Sequence, residues 1–335
     1  MQLPNTRTIL IGLGGFLLVA AAVALVVSRT RRPSPSQPIA RSTAPSSLIA
    51  DQASTVPPVV IGGRLFFADG LRLSMYRFKD RSFSPIDVPS SSGDRIVSII
   101  PSPKNERLVI LQLERGTTRE YVLFDIIESK VLTKFGDRVL GVTWVPDSEL
   151  LVIFGKSTQG TFFFSTSSAD GKDQKTIGQV EEERAQPLAL TKQNLIFTAT
   201  DSNGQTRLKA LNRTSGANSV LVEDVGRLSV SEDSSYIVFN ATDGLYALTT
   251  ADLTQNRVAE IEIDRLLNWS GDKLIYGHSE TGLLTIDSWD ATNGQTATVT
   301  VLPAGTTSFP KAAFVDEINK ELIYWTDKQL TTEPF

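Results

Sequence analysis

Short, almost wholly apolar runs recur along this chain at near-constant spacing, each preceded by turn-forming residues. Their cores are Leu65-Phe66-Phe67, Leu108-Val109-Ile110, Leu151-Val152-Ile153, Leu195-Ile196-Phe197, Ile237-Val238-Phe239, Leu274-Ile275-Tyr276 and Leu322-Ile323-Tyr324. Successive cores start 43, 43, 44, 42, 37 and 48 residues apart, a period that marks a repeat architecture. Each repeat opens on a mixed run such as Arg95-Ile96-Val97-Ser98-Ile99-Ile100 or Arg138-Val139-Leu140-Gly141-Val142-Thr143-Trp144. A turn follows, as at Pro101-Ser102-Pro103, Pro146-Asp147, Ser231-Glu232-Asp233 and Ser270-Gly271-Asp272. Proline presets φ there, and Asp or Ser side chains bond their own backbone, so the mixed run and the apolar core are expected to pair as a hairpin.

Polar connectors come next, at Glu114-Arg115-Gly116, Asp201-Ser202-Asn203-Gly204 and Thr242-Asp243-Gly244. Asp-Gly and Asn-Gly accept positive φ and signal tight hairpins. They lead into alternating segments such as Tyr121-Val122-Leu123-Phe124-Asp125, and a more polar run such as Ser219-Val220-Leu221-Val222 closes the unit. Four antiparallel strands in about 43 residues is the size of a propeller blade. Helical periodicity is nearly absent after Pro58, so the expected fold is all-β: a β-propeller of four-stranded antiparallel blades over residues 59–335. Seven cores argue for seven blades. Six is the alternative, because the first repeat has little room for an inner strand beyond Val59-Val60-Ile61 and the last stops at Phe335. Closure is expected to join the two ends of the domain, which hides the edges of the end blades.

Ahead of the repeats, after a short tail at 1–7, Thr8 to Val27 carries no charge and is bracketed by Arg7 and by Arg29, Arg31 and Arg32. Twenty helical residues span about 30 Å, the thickness of a bilayer's hydrocarbon core. The run reads as one transmembrane helix, with the lipid bilayer as partner. A cleaved signal peptide ending near Ala22-Val23-Ala24 is the rival reading, but the apolar run continues through Leu25-Val26-Val27, which favours an uncleaved anchor. Residues 28–58 are rich in Pro, Ser, Thr and Ala, the composition of a flexible, disordered spacer. The flanking arginines lean the domain towards the cytoplasm by one charge, whereas a spacer of this kind suits an extracytoplasmic domain at the cell membrane.

Charge and composition narrow the chemistry. With 33 basic and 37 acidic residues there is no basic field to favour nucleic acid. The absence of cysteine removes disulfides, thiolate metal sites and a cysteine nucleophile. His278 is the single histidine. Gly277-His278-Ser279-Glu280-Thr281-Gly282 lacks the spacing and the strand-to-helix context of a hydrolase elbow. Asp201-Ser202-Asn203-Gly204 spaces two oxygens like the start of a calcium loop, but a hairpin turn explains it better. Glu181-Glu182-Glu183 reads as a solvated loop, and Trp144 and Trp269 as packing between blades. The sequons at Asn212, Asn240 and Asn268 fall in turn-like contexts. No catalytic residue, cofactor or metal ligand is assigned.

Trp144-Val145-Pro146-Asp147 before Leu150 to Phe154, Trp269-Ser270-Gly271-Asp272-Lys273 before Leu274 to Tyr276, and Ser102-Pro103 before Leu108 to Leu111 resemble the W-S-P-D-G-K-x-I-x-F signature of TolB-like, WD40-like propeller repeats. The resemblance covers most of residues 95–280. Gln193-Asn194 replaces the turn in the fourth repeat, and the Trp-Asp strand endings of true WD40 blades are absent. What the resemblance implies is the propeller fold.

The sharpest site pattern lies where each repeat begins: Arg95, Arg138, Arg184, Arg227, Arg265 and Lys311, four of them directly preceded by Asp94, Asp137, Glu183 and Asp264. Equivalent positions would set these cations in a ring at one mouth of the channel, able to hold a carboxylate, a phosphate or an acidic polymer. Pairing of each cation with a neighbouring acid, fixing geometry only, is the structural alternative. The expected function is a membrane-anchored binding or scaffolding module that recognises a protein or an anionic envelope polymer. The alternative is a propeller hydrolase or lyase acting on cell-envelope glycans or peptides through a carboxylate pair.

Overall fold

The computed structural model describes residues 52–89, 93–146, 148–260, 265–280, 283–303, 312–316, 318–326 and 329–334. The apolar run 8–27, residues 28–51 and Lys311 lie outside them. The chain divides into two compact units, Met1–Ser46 and Ser47–Phe335, and everything below concerns the second. Among the described residues every regular element is a strand, and no helix is long and apolar enough to cross a membrane.

The first sheet holds β1 (Val59–Ile61), β2 (Arg64–Asp69), β3 (Arg72–Arg77) and β4 (Ser82–Asp87), and the second β5 (Arg95–Pro101), β6 (Leu108–Arg115), β7 (Thr118–Asp125) and β8 (Lys130–Lys134). The third holds β9 (Val139–Trp144), β10 (Leu150–Lys156), β11 (Phe162–Ser168) and β12 (Lys175–Val180); the fourth, β13 (Ala185–Leu190), β14 (Asn194–Thr200), β15 (Thr206–Asn212) and β16 (Asn218–Val222). The fifth holds β17 (Leu228–Val230), β18 (Tyr236–Ala241), β19 (Gly244–Thr249) and β20 (Gln255–Ala259). The sixth holds β21 (Arg265–Ser270), β22 (Lys273–Glu280), β23 (Leu283–Asp290) and β24 (Thr296–Pro303), and the last β25 (Ala312–Asp316), β26 (Glu321–Thr326) and β27 (Gln329–Pro334). All pairings are antiparallel and sequential. These are the seven blades of a propeller, six with four described strands of their own and one with three.

The apolar cores all fall in the second strand of a blade, and packing explains why. The buried apolar residues form seven clusters, and each cluster joins two neighbouring sheets. One unites the first and second sheets around Phe66, Met75, Val109 and Phe124, and another the third and fourth around Val152, Phe154, Phe164 and Phe197. The series passes through the remaining neighbours and returns, with Leu65, Phe67 and Tyr76 against Phe314, Ile323 and Trp325, from the last sheet to the first. In β10, Leu151 and Ile153 face the second sheet while Val152 and Phe154 face the fourth. A strand buried on both faces needs apolar residues at every position rather than every other one. Each fully buried aromatic here stabilises the ring by about 1.5–3 kcal/mol.

The outer strands carry a second repeated device. Between the third and fourth strands of the second to sixth blades the register slips by one residue. The extra residue is Leu132, Ile177, Leu221, Val258 or Val299, apolar in every case. The bulge increases local twist and makes an outer edge a poor template for another strand. Ile177, Leu221, Val258 and Val299 also turn partly inward against an inter-sheet cluster.

Closure uses chain that composition assigns to the spacer. The Leu330 amide on β27 donates to the Gln52 carbonyl at 3.0 Å, and the Trp325 indole donates to the Ser54 carbonyl at 3.2 Å. Ser54 and Val56 are buried, with Val56 packed in the cluster between the first two sheets. Residues 52–58 are therefore held in the ring and not free, because β27 would otherwise present unpaired backbone groups at that edge. Across the same seam Arg81 meets Glu321 at 2.7 Å, and the Asn319 amide donates to the Phe78 carbonyl at 2.9 Å.

Candidate functional site

The first strand of each blade lies innermost, so the channel has one end where these strands start and another where they finish. At the finishing end, six of the seven inner strands frame a cavity of about 320 Å³. Its wall mixes apolar and polar groups: Val59 to Ile61, Ile99 to Pro101, Val142, Pro187, Leu188 and Val230 along the strands, Pro103 and Pro146 at the turns, and Ser98, Thr143, Gln186, Ser231, Ser234 and Asn268 between them. Trp144 and Trp269 sit on the wall and also pack between blades. The Trp144 indole donates to the Ile100 carbonyl of the preceding blade at 2.9 Å, which fixes the ring as part of the wall. Gly141 lies where two inner strands crowd, since a Cβ there would come within 3.0 Å of Gln186 Oε1 and 3.1 Å of Pro187 Cδ.

Among the described lining residues one is charged, Glu232, and the Gly62 and Arg64 groups nearest to it lie just outside the cavity wall. Gly62 and Gly63 form the two-residue turn of the β1–β2 hairpin, with φ of 55° and 68° and Ile61 paired to Arg64. Both positive values belong to the tight turns that fit strand twist, and glycine adopts them without strain. The Gly62 amide points across the channel and donates to Glu232 Oε2, on the β17–β18 turn of the fifth blade, at 3.1 Å. Behind that turn lies Arg64, only 4% exposed. Its Nη1 donates to the Glu106 carbonyl at 2.9 Å and its guanidinium sits 5.5 Å from the Phe66 ring centre. Its Nε is buried with no hydrogen-bond partner, and among the described residues no carboxylate lies within ion-pairing distance. Burial lowers the Arg64 pKa, against the raising effect of Glu106 and Glu232. Burial likewise raises the Glu232 pKa, against the Gly62 hydrogen bond and the Arg64 charge, with Asp233 and Asp272 adding repulsion. Among the described lining residues Glu232 is the one carboxylate.

The opposite end holds the cations singled out in the sequence. Arg138, Arg184 and Arg227 immediately precede the inner strands β9, β13 and β17, and their carbonyls accept equivalent backbone bonds from Lys156, Thr200 and Asn240 at 2.9, 2.9 and 3.0 Å. Arg95 and Arg265 open β5 and β21, and Lys311 lies outside the described residues. The side chains of Arg95, Arg138, Arg184 and Arg227 are exposed. Arg95 pairs with Glu114, which Arg119 also binds at 2.8 Å, whereas Asp94 pairs with Arg115 at 2.5 Å. Among the described residues no ion pair engages Arg138, Arg184 or Arg227.

Other sequence candidates resolve into turn and packing chemistry. Asp201 Oδ1 accepts the Asn203 and Gln205 amides at 2.9 and 3.0 Å, a hairpin turn with Gly204 at φ 84°. Asn212 accepts the Thr214 and Ser215 amides where Asp125 accepts those of Ile127 and Glu128 in the second blade, so its sequon coincides with a turn of the repeat. Glu181-Glu182-Glu183 is not a uniformly solvated loop: Lys209 reaches up from β15 and pairs with Glu182, both largely buried. His278 lies within β22, with Nδ1 3.3 Å from Asp287 Oδ2, and no strand-to-helix turn is present. Sequence reasoning missed Arg64 and gave Glu232 no role beyond its turn. Arg107 holds the matching position in the second blade and simply pairs with Asp125 at 2.7 Å, so nothing in the sequence distinguishes Arg64.

No family model matches the chain, and no curated protein matches it. Solved structures do. A chain of a mitotic checkpoint complex superposes with a TM-score of 0.57 at 13% identity, over 90% of this chain and 96% of that one. An oligogalacturonate lyase in complex with manganese superposes at 0.57 and 11% identity, over 84% and 88%. TolB from Acinetobacter baumannii matches at 0.48 and 16% identity, over 74% and 65%, a superposition too loose to bear on kinship. At these identities the likeness shows the fold, and what the chain is similar to is the seven-bladed β-propeller.

Proposed function

We propose that this chain is a membrane-anchored binding or scaffolding module that recognises a partner protein through the channel end where the inner strands finish. The observation that carries the reading is the cavity there: six blades contribute to one concavity in which prolines and tryptophans alternate with polar side chains. Such a wall suits extended or projecting apolar groups of a partner, because aromatic and proline surfaces lose little conformational entropy on contact. The fold serves recognition and catalysis alike, and the superposed propellers include a member of a protein complex and a lyase. The wall itself favours recognition, since a glycosidase-type mechanism needs two facing carboxyl groups. A photo-cross-linking residue at Pro103, on the cavity rim, should give one discrete protein adduct in cells, and the same residue at exposed Leu132 on an outer strand should not. Equal adducts from both positions, or none from the rim, would overturn the reading.

The anchor at 8–27 and an extracytoplasmic propeller belong to the same proposal. It rests on an uncharged run of bilayer length followed by a proline-rich spacer. Because the chain has no cysteine, Ser234→Cys gives one thiol at the rim. An impermeant maleimide should label it on intact cells; labelling only after lysis would place the domain on the cytoplasmic side.

A second reading is favoured by one observation at the opposite end, where Arg138, Arg184 and Arg227 are exposed and repeat in register. Those cations would hold an anionic envelope polymer by charge.

A further inference from the structure

Arg64, Gly62 and Glu232 together have the form of a half-occupied anion site. A guanidinium and a main-chain amide are the donor set that proteins use for carboxylates. Here they lie beside each other, with Arg64 Nη2 3.5 Å from the point where a Cβ on Gly62 would stand. The amide already holds a carboxylate, and it comes from the far side of the ring: Glu232 is on the fifth blade and Gly62 on the first. That carboxylate gains only part of what the site offers. It accepts from Gly62 but makes no ion pair with Arg64, whose Nε stays buried and unpartnered. A buried cation without its own counter-ion is costly, and a charged group that completes it is correspondingly favoured.

Resting on the recognition role proposed above, we infer that the cavity is a receptor for a carboxylate presented by a partner protein, and that Glu232, on the cavity wall, holds the Gly62 donor from within until that carboxylate arrives and engages Arg64 as well. The apolar part of the wall, which includes Trp144 and Trp269, holds the residues flanking the carboxylate. An entering group displaces Glu232 outwards, away from the repulsion of Asp233 and Asp272, and takes Arg64 through two parallel N–H bonds. The displacement is an exchange of one carboxylate for another, so the charge of the site is unchanged.

The test titrates the full-length chain in detergent with three probes, read by calorimetry and by tryptophan fluorescence. They are N-acetyl-trileucine with a free carboxylate, its C-terminal amide, and the amide of N-acetyl-leucyl-glutamyl-leucine. Glu232→Ala should bind a carboxylate probe at least about tenfold more tightly than the natural chain, because the internal competitor that holds the Gly62 donor is gone. The neutral amide should not bind either protein. The free-terminus and glutamyl probes distinguish a chain end from an acidic side chain, and tightening of either supports the inference. Arg64→Met should abolish the binding; where that variant fails to melt cooperatively, Glu232→Ala alone decides. Unchanged affinity in Glu232→Ala, equal binding of the amide, or no binding of any probe to that variant overturns the inference. Failure of the probes with the Pro103 cross-link intact overturns this inference alone, whereas loss of the cross-link overturns the recognition role beneath it.

Discussion

The two ends of the channel are built from the same repeat and treat charge in opposite ways. At the end where inner strands finish, one half-buried glutamate lines the cavity and one buried arginine lies behind the turn that the glutamate accepts from. At the end where they start, arginines repeat in register but stand in solvent, where screening and side-chain entropy leave each interaction worth little. Counting charges would rank the arginine end first. Burial reverses the order, since the same unit charge interacts several times more strongly once water is removed.

The largest effect expected from breaking this contrast is at Trp144. Its ring is 4% exposed, spans the second and third blades, and donates to Ile100. Trp144→Ala should cost about 3–5 kcal/mol in urea unfolding, through the cavity left and the hydrogen bond lost. Arg138→Ala, just before the start of the same strand, should stay within about 0.5 kcal/mol. A Trp144→Ala cost below about 1 kcal/mol would mean that the cavity wall is not held by packing between blades.

Next in size is an ion pair at the arginine end in which both partners are largely buried. The Lys209 and Glu182 side chains are 15% and 18% exposed and face each other across the third and fourth blades. Lys209→Met should cost about 2 kcal/mol, less than a fully buried pair, by stranding the Glu182 carboxylate. Adding Glu182→Leu should recover most of that loss, a coupling readable in a double-mutant cycle. Additive losses would show that the pair stabilises nothing by pairing.

The blades were legible because the physics behind them is local and repeated. A strand buried on both faces must be apolar throughout, so Leu151-Val152-Ile153 and its six counterparts announce the second strand of every blade, and the turn residues announce its start. Closure was legible in kind and not in place: residues 52–58 have spacer composition, and only the unpaired edge of β27, far away in sequence, gives them a partner. Arg138, Arg184 and Arg227 precede their strands at equivalent positions, yet the ion pairs around Arg95 do not follow sequence adjacency. Asp94 reaches Arg115 rather than Arg95, because adjacent residues on a strand point to opposite faces. Arg64 and Glu232 could not be read at all. They lie four blades apart along the chain and meet only because the ring closes.

Glu232 sharpens the contrast through pH. Its folded-state pKa is raised by burial above an ordinary value of 4.5, so the native state takes up a proton before the unfolded state does. Stability therefore falls as pH rises through that raised value, and it is regained as pH drops towards 4.5. Asp125 and Asp233 have lowered values and act oppositely, losing their contribution only as pH falls below about 3.8. The two windows do not overlap. Glu232→Gln should flatten the upper one and leave the lower one untouched, measured as melting temperature against pH. An unchanged upper slope would remove Glu232 as its source.

The smallest effect on stability, and the most informative on function, belongs to the arginine end. Arg138, Arg184 and Arg227 are exposed with no ion pair among the described residues, so replacing all three with Gln should change unfolding free energy by no more than about 0.5 kcal/mol each. If this end holds an anionic polymer, the same triple variant should lose polyanion binding, and the binding of the natural chain should weaken steeply between low and physiological salt. Binding at the cavity should show little of that salt dependence, because a desolvated pair is shielded from the ionic atmosphere. A triple variant that melts early instead would mean that these arginines hold neighbouring blades in place, and their exposure would then be incidental to recognition. Unchanged polyanion binding with unchanged melting would leave the cavity end as the functional face of the ring.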